Sequence, residues 1–405
     1  MKIKNLVGLG AMGISLGLST ITNAQNGGIG NSTIDGRERI NSITTAVPFL
    51  LIGPEARAGA MGDAGVASTP DIVSQHWNSS KYAFVDGKSA LSLSYTPWLQ
   101  NLVGDINLAY LSGYLRLDDR QVLGASLRYF SLGNIIFTND AGIETGQFSP
   151  NEFALDFSYN RRLTDYFSVG FTPRFIYSNL AAGQQTNGQA IKPGSTVAVD
   201  LSAFYQRDIE IGNQKAVFAF GGNISNIGAK ISYTDAAERD FIPTNLRFGP
   251  SLKLKLDDYN EVSFNLDINK LLVPTNPTYI TDSATGIQTI DKGRDPNRGV
   301  SSGIFGSFSD APLGAAEELR EINYAGGVEY WYDQQFALRG GYFYEDRTKG
   351  NRQYFTVGAG LKYQVFNLDF SYLIPTQQQN PLANTLRFSL SFKFNDAAKA
   401  SNTAE

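Results

Sequence analysis

Between residues 89 and 394, apolar and polar side chains alternate in segments of roughly ten residues, each closed by a turn. Leu246, Phe248, Leu252, Leu254 and Leu256 share one phase, while Arg247, Ser251, Lys253 and Lys255 share the other. After the Asp257-Asp258 turn, Val262, Phe264, Leu266 and Ile268 oppose Ser263, Asn265, Asp267 and Asn269. Phe153, Leu155, Phe157 and Tyr159 alternate with Asp156, Ser158 and Asn160, and the last unit sets Leu386, Phe388, Leu390, Phe392 and Phe394 against Arg387, Ser389, Ser391 and Lys393. A period of two places one set on each face of a strand. Fourteen such segments begin near 89, 106, 121, 152, 166, 196, 216, 244, 260, 322, 336, 354, 366 and 384. Those near 106, 216 and 322 are rich in Gly or mixed in phase.

The connections alternate too. Those near 118–120, 162–165, 257–259, 333–335 and 364–365 are tight, whereas 134–151, 179–195, 225–243 and 273–321 are long. The 208–215 link is expected to be a longer turn on the short side, and 99–105 a brief loop on the long side. A soluble two-layer sheet would need a second layer over its apolar face, and no long amphipathic helix is available. The pattern predicts an all-β fold, a 14-stranded antiparallel transmembrane β-barrel with short turns in the periplasm and long loops outside. Pro173 and Pro250 interrupt good strands, and each is expected at a bulge or kink because proline cannot donate to the ladder. One reading is local curvature. The other is a gap in the wall, a lateral route between lumen and membrane.

The chain ends set compartment and boundaries. Met1-Lys2-Ile3-Lys4 is basic, Leu6–Ile21 is apolar and Thr22-Asn23-Ala24 is small, so residues 1–24 read as a secretory signal peptide. Its apolar run is shorter than the ~20 residues a spanning helix needs. Residues 25–88 form an N-terminal extension, 89–394 the barrel and 395–405 a short polar C-terminal tail. The chain has no Cys, which removes thiol catalysis, thiolate metal sites and disulfides. A net charge of -4 with scattered Lys and Arg argues against nucleic-acid partners.

No catalytic, cofactor or metal site is predicted. The single histidine, His76, precedes the first strand, where it has no serine to activate, and it reads as a packed imidazole beside Trp77. Gly87-Lys88-Ser89 mimics the end of a phosphate loop, but Tyr82 stands where that loop needs glycine. Asp282, Asp291, Asp295 and Asp310 lack a regular calcium-ligand spacing and read as solvated turn carboxylates. The 273–321 loop carries an apolar patch, Ile304, Phe305, Phe308 and Leu313, and a short helix is expected over Ala315–Arg320. Loops of this length are usually functional or disordered, and this patch is the candidate docking face for a partner protein.

Residues 25–88 do not alternate. The run Pro54-Glu55-Ala56-Arg57-Ala58-Gly59-Ala60-Met61-Gly62-Asp63-Ala64-Gly65 is made of small residues that let backbone pack on backbone. It reads as a plug in the lumen or as a flexible periplasmic lead-in, and the apolar Pro48–Ile52 and Trp77 favour the plug. The stretch Phe49–Ser68, followed by His76-Trp77-Asn78, resembles the start of the PorV family, outer-membrane barrels of the type IX secretion system with a FadL-like fold. The resemblance runs through the C-terminal strand. Where relatives tend to read Asn-Pro-Ala, this chain has Asn78-Ser79-Ser80, which puts that turn in question.

The resemblance implies no catalysis. It implies a component that binds the C-terminal signal domain of secreted cargo and passes it to a surface attachment or peptidase complex. It also implies association with a giant translocon barrel, in contact with outer-membrane lipid. The alternative is a FadL-like transporter of small hydrophobic molecules, with the N-terminal segment as a hatch. Mixed charge on the inward phase (Asp156, Arg174, Asp200, Arg247, Lys253, Lys255, Asp267, Glu329, Arg339, Asp369, Arg387) fits a filled polar interior better than an apolar transport pocket.

Overall fold

The computed structural model describes residues 40–394 apart from 101–103, 139–143, 181–184, 187–188, 235–238, 283–284 and 378–379. The expected signal peptide (1–24), the glycine-rich start of the extension and the C-terminal tail (395–405) lie outside the described residues.

Fourteen strands close into one antiparallel barrel. They are β1 (Ser89–Pro97), β2 (Ile106–Arg116), β3 (Gln121–Leu132), β4 (Asn151–Arg162), β5 (Phe167–Asn179), β6 (Gly194–Ile211) and β7 (Gln214–Gly228), followed by β8 (Asn245–Lys255), β9 (Asn260–Leu271), β10 (Ile322–Tyr332), β11 (Phe336–Tyr344), β12 (Gln353–Tyr363), β13 (Phe366–Pro375) and β14 (Leu386–Phe394). Each pairs with its sequence neighbour, and β14 returns to β1 through Ser89↔Phe394 and Leu93↔Leu390. Closure leaves no unpaired sheet edge, the condition a sheet must meet in hydrocarbon. Every strand begins within two residues of its expected start.

Alternation sets the two faces. Leu93, Phe157, Phe264 and Leu338 stand on the outside with 54%, 57%, 48% and 64% of their surface open, which is the lipid-facing phase. Ser94, Asp156, Asp267 and Arg339 are buried inside. Of the expected inward charges, Lys255 is the exception, since it lies at the turn and pairs with Asp258 in the open.

One connection differs from expectation. β6 and β7 continue to Ile211↔Gln214 and join through a tight turn at Gly212, which has φ +62°, the left-handed region glycine tolerates. Asp208, Glu210 and Lys215 make this end polar, so the apolar signal stops before the ladder does. The 273–321 connection is largely ordered. It holds a hairpin (Thr278–Thr281 with Gln288–Lys292) and two short helices at Val300–Gly306 and at the expected Ala315–Arg320.

Neither proline shifts its register. Between β4 and β5 the pairs run to Asp156↔Arg174 and resume at Tyr159↔Phe171, and between β8 and β9 they run to Phe248↔Ile268 and resume at Ser251↔Asn265. The residue count is equal on both sides of each gap, so the ladder is interrupted without an extra residue. A bulge does occur beside Pro173, in the strand paired to it, where the β6–β7 register shifts between Val199 and Leu201.

Candidate functional site: the filled lumen and the exterior loops

The N-terminal segment runs through the ring of strands. Val47, Phe49 and Leu50 pack on Leu108, Phe130, Ala154, Ile176 and Ala198 near the loop ends of β2 to β6. Every residue from 53 to 68 is buried. Tyr82 and Val85 pack on Tyr114 and Val122 at the turn ends of β2 and β3. The Lys88 carbonyl then accepts from the Arg116 N–H at 2.7 Å, and β1 begins.

Small residues are needed where this segment meets the wall. A Cβ on Gly327 or Gly341 would run into the backbone of Met61, and one on Gly62 into the backbone of Tyr342. Gly62 also has φ +70°, so it meets both a conformational and a steric demand. Its N–H donates to Thr356 Oγ1 at 2.8 Å. Gly327, in the β10 segment whose pattern was weak, and Gly341 on β11 are these contact points.

Charges fix the segment. Glu55 caps the short helix Ala56–Gly59 (α1), accepting from the Arg57 and Ala58 N–H groups at 2.5 and 2.8 Å and from Trp77 Nε1 at 2.8 Å. Burial, with Asp71 adding to it, pushes its carboxyl up to about 7. Arg57 donates to both oxygens of Glu329 on β10, at 2.9 and 2.7 Å, and to Asp71 at 2.5 Å. Arg339 on β11 shares Glu329 at 2.7 Å and reaches Asp369 on β13 at 2.7 Å. Asp63 accepts from Arg387 and from the Tyr354 hydroxyl, both at 2.6 Å. Asp267 accepts the Gly65 and Val66 N–H groups at 2.8 and 3.0 Å. Lys81 is fully buried and donates to the Gly65 carbonyl and Ser68 Oγ, each at 2.9 Å, and burial lowers its ammonium to about 8.

His76 sits edge-on to Trp77, with ring centroids 4.5 Å apart, and its Nδ1 accepts from Arg128 at 2.5 Å. Burial, reinforced by the Arg128 charge, holds its imidazole well below the usual range. Asn78 caps the 3-10 turn Ser79–Phe84 by accepting the Ser80 N–H at 3.1 Å, and Ser79 bonds Thr172 and Ser202, both at 3.1 Å. The Asn-Ser-Ser variation is thus accommodated by hydroxyls bonded to the wall.

Arg174 forms a second buried cluster within the wall, donating to Asp156 at 2.6 Å and Asp200 at 3.0 Å. Beside it, Pro173 lies in an apolar groove of about 590 Å³ lined by Leu155, Phe157, Phe175, Val197 and Ile227. Below the 69–73 stretch, polar cavities of about 270 and 340 Å³ open toward the turn ends. No group of three or more metal-ligating side chains occurs among the described residues.

Of the four residues of the expected docking patch, Ile304 and Phe305 lie on the helix Val300–Gly306 (α2) and Phe308 and Leu313 follow it. Phe305 and Phe308 are 79% and 52% exposed, Leu313 is at 37% and Ile304 is half-buried. Behind them the loop is pinned to the barrel. Lys270 on β9 pairs with Glu318 and Glu321 at 3.0 and 2.6 Å, and Lys349 pairs with Glu317 and Glu321 at 2.7 and 3.0 Å. The Arg298–Asp310 pair ties the loop to itself. Sequence reasoning missed the partners of Glu55, Arg57 and Asp63. Three charges inside a run of Ala and Gly were the available signal, because such residues are buried only when paired.

A closed 14-stranded antiparallel barrel with residues 47–85 packed inside the ring is a FadL-like fold. A deletion variant of the monoaromatic hydrocarbon channel TodX shares this fold at a TM-score of 0.50 and 14% identity, covering 84% of this chain and 99% of that one. The CymD monoaromatic hydrocarbon channel (TM-score 0.47, 12% identity, 85% and 98% covered) and a Pseudomonas aeruginosa FadL homologue (0.40, 10%, 88% and 100%) are also similar. No curated protein matches by sequence. The family profile "Type IX secretion system protein PorV" matches residues 35–278, more than half of the chain's 405 residues. The chain belongs to the PorV family.

Proposed function

We propose that this barrel is a cargo carrier of type IX secretion. Its exterior loops bind the C-terminal signal domain of a protein that has crossed the outer membrane, and the barrel passes it from the giant translocon barrel to the surface attachment or peptidase complex. The observation that carries this reading is the 273–321 loop, a long exterior connection held on the barrel by Lys270 and Lys349 while Phe305 and Phe308 stay exposed. Apolar side chains kept in solvent on a fixed support are what a protein interface needs at its centre. The N-terminal segment acts as a plug. With the lumen occupied, the exterior face is the surface left for function.

The test is deletion of 300–314 in the native host. Loss of cargo from the medium and of co-purifying cargo, with the barrel still folded in the outer membrane, supports the reading. Unchanged cargo release from a folded deletion variant removes it. A second reading, transport of small hydrophobic molecules, draws on the likeness to TodX, described as a monoaromatic hydrocarbon channel, and on the groove at Pro173. Toluene uptake into vesicles carrying the purified barrel would establish that alternative.

A further inference from the structure

The larger of the two polar cavities at the turn ends, about 340 Å³, carries more cations than its own carboxylates hold. Three of those carboxylates are taken: Asp71 by Arg57 at 2.5 Å, Asp369 by Arg339 at 2.7 Å and Glu261 by Lys253 at 3.1 Å. Lys362 and Lys393 line the same space, both half-buried, and make no ion pair or side-chain hydrogen bond among the described residues. Asp86 is the carboxylate of the lining left over for these two ammoniums, and it acts on Lys393 only from beyond pairing distance.

The strand register sets the two lysines around a common point. Lys362 on β12 lies opposite Asn367 on β13, and Asn367 lies opposite Ser391 on β14, two residues before Lys393. Strands two apart in a sheet are separated by about 10 Å, so two flexible lysine stems can meet between them. The Asn367 amide, also on the cavity, makes no side-chain hydrogen bond among the described residues. Arg339, 5% exposed and on the same cavity, leaves its Nη2 without a partner. Unmet donors and neighbouring like charges are both costly, and an anion relieves both.

We propose that this cavity binds a small oxyanion, a phosphate or carboxylate group, between Lys362 and Lys393, with the Asn367 amide as a further donor. Arg57 and Asp71 of the luminal segment line the cavity together with wall residues, so the bound anion bridges segment and wall. The site is separate from the 273–321 loop, at the other end of the barrel.

The test uses the full chain in phosphate-free detergent, titrated with inorganic phosphate at an ionic strength held constant with chloride. Binding is read from broadening of the phosphate signal by phosphorus NMR, and folding from heat-modifiable migration. The expected result is saturable broadening with the parent. Lys362→Gln and Lys393→Gln should each weaken it about tenfold, the loss of one charge-assisted hydrogen bond. Lys255→Gln, at an exposed turn lysine paired with Asp258, should leave it unchanged. A short glutamate peptide that displaces phosphate below phosphate's own working concentration assigns the natural ligand to acidic side chains of a protein; displacement only above it assigns a free phosphate. No saturable broadening with the folded parent overturns the proposal, and so does undiminished binding by the folded Lys362→Gln/Lys393→Gln variant.

Discussion

Replacing Glu329 with alanine removes the one carboxylate that two buried guanidiniums share. Arg57 from the luminal segment and Arg339 from the wall give it three bonds of 2.9, 2.7 and 2.7 Å, and Glu329 is 1% exposed. Hydrogen bonds to charged groups contribute about 1.5–3 kcal/mol each, so the gross loss is several kcal/mol. Removing the carboxylate also relieves its own desolvation, but it leaves Arg57 and Arg339 facing each other with only Asp71 and Asp369 as counter-charges. Breaking a buried pair from one side costs about 3–5 kcal/mol, and that is the expected effect here. The assay is urea unfolding of the barrel in lipid vesicles, followed by the fluorescence of its three tryptophans, Trp77, Trp98 and Trp331. The double variant Arg57→Met/Glu329→Leu should recover more than half of the loss, because it leaves no unpaired guanidinium on the segment and still fills the space. A Glu329→Ala midpoint within about 0.5 kcal/mol of the parent, the range of neutral surface changes, would refute the view that this network holds the segment in place.

Other outcomes follow from the same contacts. Gly341→Val should displace Met61 and open the lumen, raising single-channel conductance in planar bilayers above a near-closed parent; unchanged conductance would show that the segment is not the barrier. The Glu55 pKa is raised above its ordinary value, so stability from its neutral form is full below pH 4.5 and is lost as pH rises through about 7. Glu55→Gln should therefore flatten the fall in unfolding midpoint between pH 5 and pH 8, and an unaltered slope would sink that assignment. Asn78→Ala should cost about 1 kcal/mol as a lost cap, read in the same unfolding assay. Phe305→Ser/Phe308→Ser should leave the barrel's unfolding midpoint unchanged and reduce the cargo that co-purifies; full retention of cargo would argue against this patch as the docking face.

The strands were legible because lipid enforces one rule on every outward position, and Leu93, Phe157 and Leu338 obey it in phase with their neighbours. The polar end of β6–β7 was not, since beyond the apolar zone nothing in side-chain polarity separates a hydrogen-bonded ribbon from a loop. The luminal segment could be anticipated from its small residues and from Trp77, but its partners could not. Arg57 meets Glu329 across 272 positions of sequence, and Asp63 meets Arg387 across 324, and no local period encodes such distances. The glycines of β10 were read as weak strand signal when Gly327 marks where Met61 needs room. The docking patch was legible as apolar residues in a long loop, Phe305 and Phe308 among them, whereas a partner's identity is encoded by no local chemistry.

The same contacts bear on how the molecule is assembled. Ser389 and Arg387, which hold Ala56 and Asp63, lie on β14, the strand that must find β1 to finish the ring, and Ser94 and Ser92 bond across that seam at 2.7 and 2.8 Å. The first part of the chain to be made therefore waits for the last, and the final closing step clasps the filler and shuts the wall at once. A ring sealed before its thread was in place would have no later chance to take it up.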